Sequence, residues 1–469
     1  MNIQEILAES NISTKIEKLK GRGAKVPDWS EIVKDYEPKL HAIVEDRRGR
    51  ADKVHSDGTV DKAARIPIGL EKLLTKRVTE FTFAIPVKRV YTAKGETQQA
   101  IAKAIEAIYH AAHIDTENIK RGQAYYASCE IFTLWYVTKR EHTLYGFRSA
   151  FKLKCRTFSP MDGCKLYPLF DETGDFMAIS IEYQKRVGTE DITFFETFTA
   201  DAHYKWQQSG KEWEAVGEPE TITLMKIPGA YLYRPVPIFD GLQPLREDLE
   251  NTVSRDSDIV AYNASPILKV VGSLVGEEKK NETRRVYRVT EGGDVSYVSW
   301  SQSVEAVKVH TDSLLRFFWL QSQMPDISFD TMKSLGNIGY DARKMLLTDA
   351  HLKIGEETGP WLEFLNRECN VIKAFLKKLN LKWADEIDNV GVEHIITPFI
   401  IEDEQAQLDY HMKANGGKPV ESQEESIMRI GKSQNVAETL AAIQAEQAAT
   451  TKKQESKEET EEQASANNE

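Results

Sequence analysis

FDGLQPLREDLENTVSRDSDIVAYNASPILKVVG, residues 239–272, reads as a long helix that runs out into a strand. Asp240 with Gln243 three residues on has the spacing of a capping box. Pro244 fits a helix only in its first turn, where its missing N–H has no partner to lose. Leu242, Leu245, Leu249 and Val253 then form one narrow apolar stripe, and the other faces carry charge. Such a helix packs along a single seam and leaves much of its surface to solvent or to neighbouring chains. PILKVVGSLV and TRRVYRVTEGGDVSYVSW come next as a small β-rich insert, with Glu291-Gly292-Gly293-Asp294 read as a hairpin turn between the strands of the latter.

Beyond the insert a second helix, from Ser303 to Gln323, carries Val304, Val307, Thr311, Leu314 and Phe318 at helical spacing. PDISFDTMKSLGNIGYDARKMLL, residues 325–347, interrupts it with a polar segment bearing Gly336 and Gly339. Helical pattern returns from Tyr340 to Asn380, and Pro360 after Gly359 predicts a kink or a fresh start. Past it Leu362, Leu365, Cys369, Ile372, Leu376 and Leu379 step by three and four, while Trp361, Phe364 and Phe375 read as core. VEHIITPFII is strand-like, residues 403–449 are polar and helical, and residues 450–469 are low in complexity and expected to be disordered.

Upstream, residues 1–62 read as a polar helical entry with a turn at Asp57-Gly58. Ile68, Leu70, Leu73, Leu74, Val78 and Phe81 mark one helix face, after which Phe83, Ile85 and Val87 look β-like. Ile101, Ile105, Ile108 and Ala112 mark the clearest amphipathic helix. From about 122 to 236 the pattern is β, with glycine and proline turns. The fold class is therefore α+β, with a meandering antiparallel sheet.

The 469 residues suffice for two or three domains. A net charge of -12 argues against a general nucleic-acid coat, which would be basic. Cys129, Cys155, Cys164 and Cys369 show no CxxC spacing, so free thiols are expected rather than a metal site or disulfide framework. The amino-terminal stretch lacks the basic start and apolar run of a signal peptide, and no run of 18 apolar residues predicts a membrane span.

Enzyme readings find little support. A phosphate loop needs GxxxxGK[ST], and Gly339 is followed by Tyr340. No GxSxG or HExxH occurs, and His110 and His113 have no acidic partner at ligand spacing. The paired glutamates 277–278, 356–357 and 424–425 read as solvated faces. No catalytic residue, metal or cofactor is expected.

The order of parts resembles the portal (head–tail connector) proteins of tailed bacteriophages over residues 40–400. ARIPIGLEKLLTKRVTEFTFAIPV is similar to the family's early helix-then-strand segment, and SPMDGCKLYPLFDETGDFMAISIEYQ to its strand–turn–strand. The opening stretch is the best match, to the stem helix and its entry to the clip. MPDISFDTMKSLGNIGYDARKMLL resembles the tunnel loop, with Ile338-Gly339 where a Ser-Gly pair is usual.

The resemblance implies a portal fold whose wing comprises an N-terminal helical segment (1–62) and an α+β domain (63–239). It implies stem helices at 240–264 and 303–324, a clip at 265–302, a tunnel loop at 325–339, a long kinked helix with wing return at 340–401, a crown at 402–449 and an acidic tail at 450–469. Twelve copies would form a ring at one capsid vertex of the virion, assembled in the host bacterial cytoplasm with major capsid and scaffolding proteins. Double-stranded DNA would pass through it, driven in by the terminase large subunit and later ejected through a head–tail adaptor. Lys279, Lys280, Arg284 and Arg285 would lie in the docking clip. Ser328, Asp330, Lys333, Ser334 and Asn337 would face DNA, with Gly336 and Gly339 as hinges. For each basic clip residue a solvated surface role is as good a reading. An oligomeric scaffold without a channel and a nucleic-acid-processing enzyme remain as alternatives.

Overall fold

The computed structural model describes residues 3–21, 26–44, 50–210, 212–263, 267–272, 274–281, 284–290, 292–298, 304–326, 345–399, 404–416, 419–430 and 439–449. The chain divides into two compact units, one of residues 1–334 and 346–399, the other of residues 335–345 and 400–469.

In the larger unit every strand pair is antiparallel. Glu130–His142 is the centre of a three-stranded sheet, flanked by Ser149–Phe158 and Gly229–Tyr233. Gly229 is required at that edge: a Cβ there would meet Thr133 O at 2.5 Å and the Phe132 ring at 2.6 Å. Beside it lies a larger sheet in the order Glu212–Ala215, Ala202–Ser209, Glu190–Phe198, Phe176–Val187 and Lys165–Phe170. Its alternation covers both faces. Ile179 and Ile181 pack toward Phe132 and Tyr231, whereas Phe195 and Trp206 pack under Ile3, Ile6, Ile16 and Leu19 of two short N-terminal helices.

The main core is built by helices Leu70–Phe83, Ile114–Ser128 and Thr348–Leu379. Trp361 sits at its centre, with its ring 4.8 Å from Phe83 and its Nε1 donating to Tyr126 Oη at 3.1 Å. Arg121 and Glu368 are both fully buried and meet through two bonds of 2.8 and 3.0 Å, and Trp135 Nε1 donates to the same carboxylate at 3.0 Å. That pair ties two helices to the sheet. Helix Gly95–Ala111 buries Ile101, Ile105 and Ile108 against Trp135 and Ile372, as the spacing predicts. Trp361, Phe364 and Phe375 are buried.

Several expectations need correction. The helix over 70–83 continues through Phe83 instead of turning into a strand, and Leu73 is exposed. Residues 122–128 are helical, and the β region starts at Glu130. The first long helix spans Gln243–Asn263, because Gly241 takes φ +80° and Asp240 lies in the turn before it. Pro360 does not end its helix, which runs unbroken over Thr348–Leu379. The proline costs roughly 3 kcal/mol, but buried Ile354 on one side and Trp361, Phe364 and Leu365 on the other anchor both halves in one core.

The insert also differs from the expected hairpin. Ile267–Val271 pairs with Asp294–Val298, and Leu274–Asn281 pairs with Arg284–Val289. The two pairs are nested in sequence and form a ribbon of two separate two-stranded sheets, with Gly272 and Gly292 at φ of +103° and +84° between them. Arg284–Val289 and Asp294–Val298 thus do not pair with each other across Glu291–Asp294; each pairs with a strand earlier in the insert.

In the smaller unit, helices Glu404–Asn415 and Gln423–Ile430 pair. His411 Nδ1 lies 2.9 Å from Glu421 Oε2, both buried, and Asn415 Nδ2 donates to Ser426 Oγ at 2.7 Å.

Candidate functional site

Helix Gln243–Asn263 and helix Val304–Ser322 pack side by side, and the ribbon connects them. Leu249 and Leu314 close the seam, with Val253 and Leu315 partly buried beside them. A cleft of about 530 Å³ opens between the helices, lined by Ile68, Val253, Val260, Val307 and Leu315. Across the pair, His310 Nε2 lies 3.2 Å from Asp248 Oδ2, both half-exposed.

The first long helix is keyed to the body by charge. Arg246 is wholly buried: Nε donates to Glu71 Oε1 at 2.9 Å, Nη1 to Glu250 Oε2 at 3.2 Å and Nη2 to Asp35 Oδ1 at 2.8 Å. Glu250 Oε1 lies 2.6 Å from His41 Nδ1, also buried. Burial holds the Glu71 carboxyl above its ordinary range despite Arg246, and its Oε2 has no hydrogen-bond partner. Burial opposes the Arg246 charge, yet Glu71 and Glu250 hold the guanidinium above its usual value.

A second device extends this grip. Ile68 N donates to Glu250 Oε1 at 2.7 Å, Ile66 N to Ser254 Oγ at 3.0 Å and Ala64 N to Asp258 Oδ1 at 2.8 Å. Four helical residues rise about 6.0 Å and two extended ones span about 6.6–6.8 Å. The side chains at 250, 254 and 258 therefore catch every second N–H of a segment running antiparallel to the helix. Arg50 completes it by binding Asp258 and donating from Nη2 to Ser254 O at 3.2 Å.

Sequence reading left these charged positions to solvent or to neighbouring chains. The signal it passed over is Arg246, Glu250, Ser254 and Asp258 at four-residue spacing, which puts them on one side of the helix.

The outer face of the second long helix is unlike a solvated one. Val309 and Leu320 are 55% and 64% exposed on the side opposite the buried Phe318, and Phe317, 49% exposed, lies between that side and the buried Leu314. Glu305, Lys308, Asp312 and Arg316 are exposed around them. The first long helix carries five carboxylates against two arginines.

Of the residues singled out in the sequence, Lys279, Lys280, Arg284 and Arg285 share one end of the ribbon, with Lys279 opposite Arg285 and Asn281 opposite Arg284 in backbone register. Ser328, Asp330, Lys333, Ser334, Asn337, Gly336 and Gly339 lie outside the described residues, as does the tail from 450. The four cysteines are free, and burial pushes Cys129 and Cys155 up to about 12 and Cys164 up to about 11. Cys129, Cys164 and Cys369 are buried core residues, and Cys155 is partly buried. Among the described residues no group of His, Cys, Asp and Glu is placed to hold a metal, and no helix is long and apolar enough to cross a membrane.

The family model described as "Phage portal protein, SPP1 Gp6-like" matches residues 17–453. No curated protein matches. Among solved structures, a chain of the "Virion of native gene transfer agent (GTA) particle" is similar at a TM-score of 0.38 and 9% identity, over 92% of this chain and 99% of that one, too slight a likeness to argue from.

Proposed function

The chain belongs to the SPP1 Gp6-like family of phage portal proteins, and from that premise we propose that twelve copies close into a ring at one capsid vertex through which double-stranded DNA is packaged and later ejected. The observation that carries the reading is the length of the match: it runs through the body, both long helices, the ribbon and the unit beyond them. In this reading residues 240–264 and 303–324 are the stem and 265–302 the clip. The clip's basic end, with Lys279, Lys280, Arg284 and Arg285, receives the terminase large subunit and then the head–tail adaptor. Residues 1–239 are the wing, to which 340–401 return, and residues 402–449 the crown, set among major capsid and scaffolding proteins.

Surface chemistry supports assembly. A stripe such as Val309, Phe317 and Leu320 is costly to leave in water. Head-to-tail contacts around a closed ring cover identical stripes without leaving an open edge. A conduit should carry few exposed Lys or Arg, since each contact with a phosphate adds salt-dependent retention. Residues 325–339 meet the duplex through Ser328, Asp330, Ser334 and Asn337, with Lys333 as a sparse basic ring.

Cryo-electron microscopy of the purified assembly tests this. The expected result is a ring of about twelve copies around a channel on the order of 20 Å wide, walled by acidic and neutral groups. A continuous basic lining, or a monomer with nuclease or ATPase activity, refutes it. Deleting residues 328–337 is expected to leave rings intact and impair packaging or DNA retention; normal packaging by that deletion removes the role given to the segment.

A further inference from the structure

The second long helix ends in a tight cap. Gln323 takes φ +56°, its N donates to Leu320 O at 3.2 Å, and Met324 N donates to Trp319 O at 3.3 Å. These are the paired bonds of a Schellman motif, with glutamine where glycine is usual. Met324 is buried, and its N–H also reaches Ser322 Oγ at 3.3 Å.

Where the cap stops, Arg77 of helix Leu70–Phe83 takes over. Its guanidinium carbon lies 4.2 Å from the centre of the Trp319 ring. Nη1 donates to Pro325 O at 3.0 Å, and Nη2 lies 3.8 Å from Asp326 Oδ1. Burial lowers the Arg77 pKa, and the Asp326 carboxylate opposes that. One planar group thus touches the last turn of the helix and the two residues that follow its cap. The same short helix carries Glu71, which binds Arg246 of the first long helix. It therefore grips one long helix near its start and the exit from the other within two turns.

We infer that Arg77 is a positioning residue: it fixes the point and direction at which the chain leaves the second long helix toward residues 327–344. The inference rests on the proposal that this segment meets DNA. A packing role alone is met by any long side chain with a cation over Trp319. The bond to Pro325 O together with the approach to Asp326 needs the guanidinium fork, which lysine lacks.

The test compares Arg77→Ala and Arg77→Lys in the full chain by ring assembly, hydrogen exchange over residues 319–326, and DNA packaging. Rings are expected to form in both. Exchange over 319–326 should rise about tenfold or more in Arg77→Ala, the size expected for losing a hydrogen bond from a charged group, and Arg77→Lys should recover less than half of that protection. Packaging should fall in the same order. Unchanged exchange in Arg77→Ala overturns the clamp, and full protection in Arg77→Lys overturns the fork. Raised exchange with normal packaging supports the clamp and overturns the DNA-facing reading of the segment. Should Arg77→Ala fail to assemble, Arg77→Lys gives the same readouts.

Discussion

Replacing Arg246 by methionine removes the one cation that three carboxylates share. The three survivors fare differently. Asp35 is 35% exposed and can be hydrated, and Glu250 keeps Ile68 N and His41. Glu71 is fully buried, already lacks a partner at Oε2, and loses Arg246 at Oε1. Stripping a buried carboxylate of its partner costs about 3–5 kcal/mol. The group escapes by taking a proton, and from an ordinary 4.5 that costs at most ~3.4 kcal/mol at pH 7. The penalty is therefore pH-dependent. A carboxyl with a raised folded pKa favours the folded state below its unfolded value and loses that contribution as pH rises through the folded one. Arg246→Met should thus lose about 3 kcal/mol relative to wild type at pH 7, and the gap should narrow by up to ~1.4 kcal/mol per pH unit toward pH 5. Urea unfolding followed by tryptophan fluorescence at both pH values measures it. A second change, Glu71→Met, should restore most of the loss, because no buried charge is then left alone. A loss below about 1 kcal/mol, or one equal at pH 7 and pH 5, refutes the reasoning.

Three further outcomes are expected. Burial pushes the Glu196 carboxyl up, but hydrogen bonds from His203, Lys205 and Tyr183 outweigh it and leave the group at about 2. Its stabilisation is present above 4.5 and lost as pH falls through about 2, so Glu196→Gln should cost on the order of 3 kcal/mol at pH 7 and nothing below pH 2 in urea titrations. Ser254→Ala leaves Ile66 N without its hydroxyl and should cost about 1 kcal/mol, with faster amide exchange at Ile66 than at Leu74 as the check. Gln323→Gly removes a strained left-handed residue and should stabilise by up to about 1 kcal/mol, read as a higher unfolding midpoint; a lower midpoint counts against the cap geometry.

Features that rest on neighbours in the chain were legible before any packing was known. Leu249 and Val253, Leu314 and Phe318, and Ile101, Ile105 and Ile108 mark faces by period alone, and each of these faces turns inward. The order of helices, sheet and β insert was legible for the same reason, and the portal resemblance with it.

The features that stayed hidden depend on partners far along the chain. Arg246 looks solvated until Glu71, 175 positions away, and Asp35, 211 positions away, arrive beside it. Glu291–Asp294 has the composition of a hairpin turn, yet its strands pair with 267–271 and 274–281, since sheet register is decided by the strand lying opposite and not by the next residues in the chain. Pro360 reads as a break until Ile354 on one side and Trp361 and Phe364 on the other lock both halves of the helix into one core. Period fixes which face of an element is apolar. Whether a charge on another face meets water or a buried partner is decided only when distant segments pack, because desolvation and ion pairing act through space.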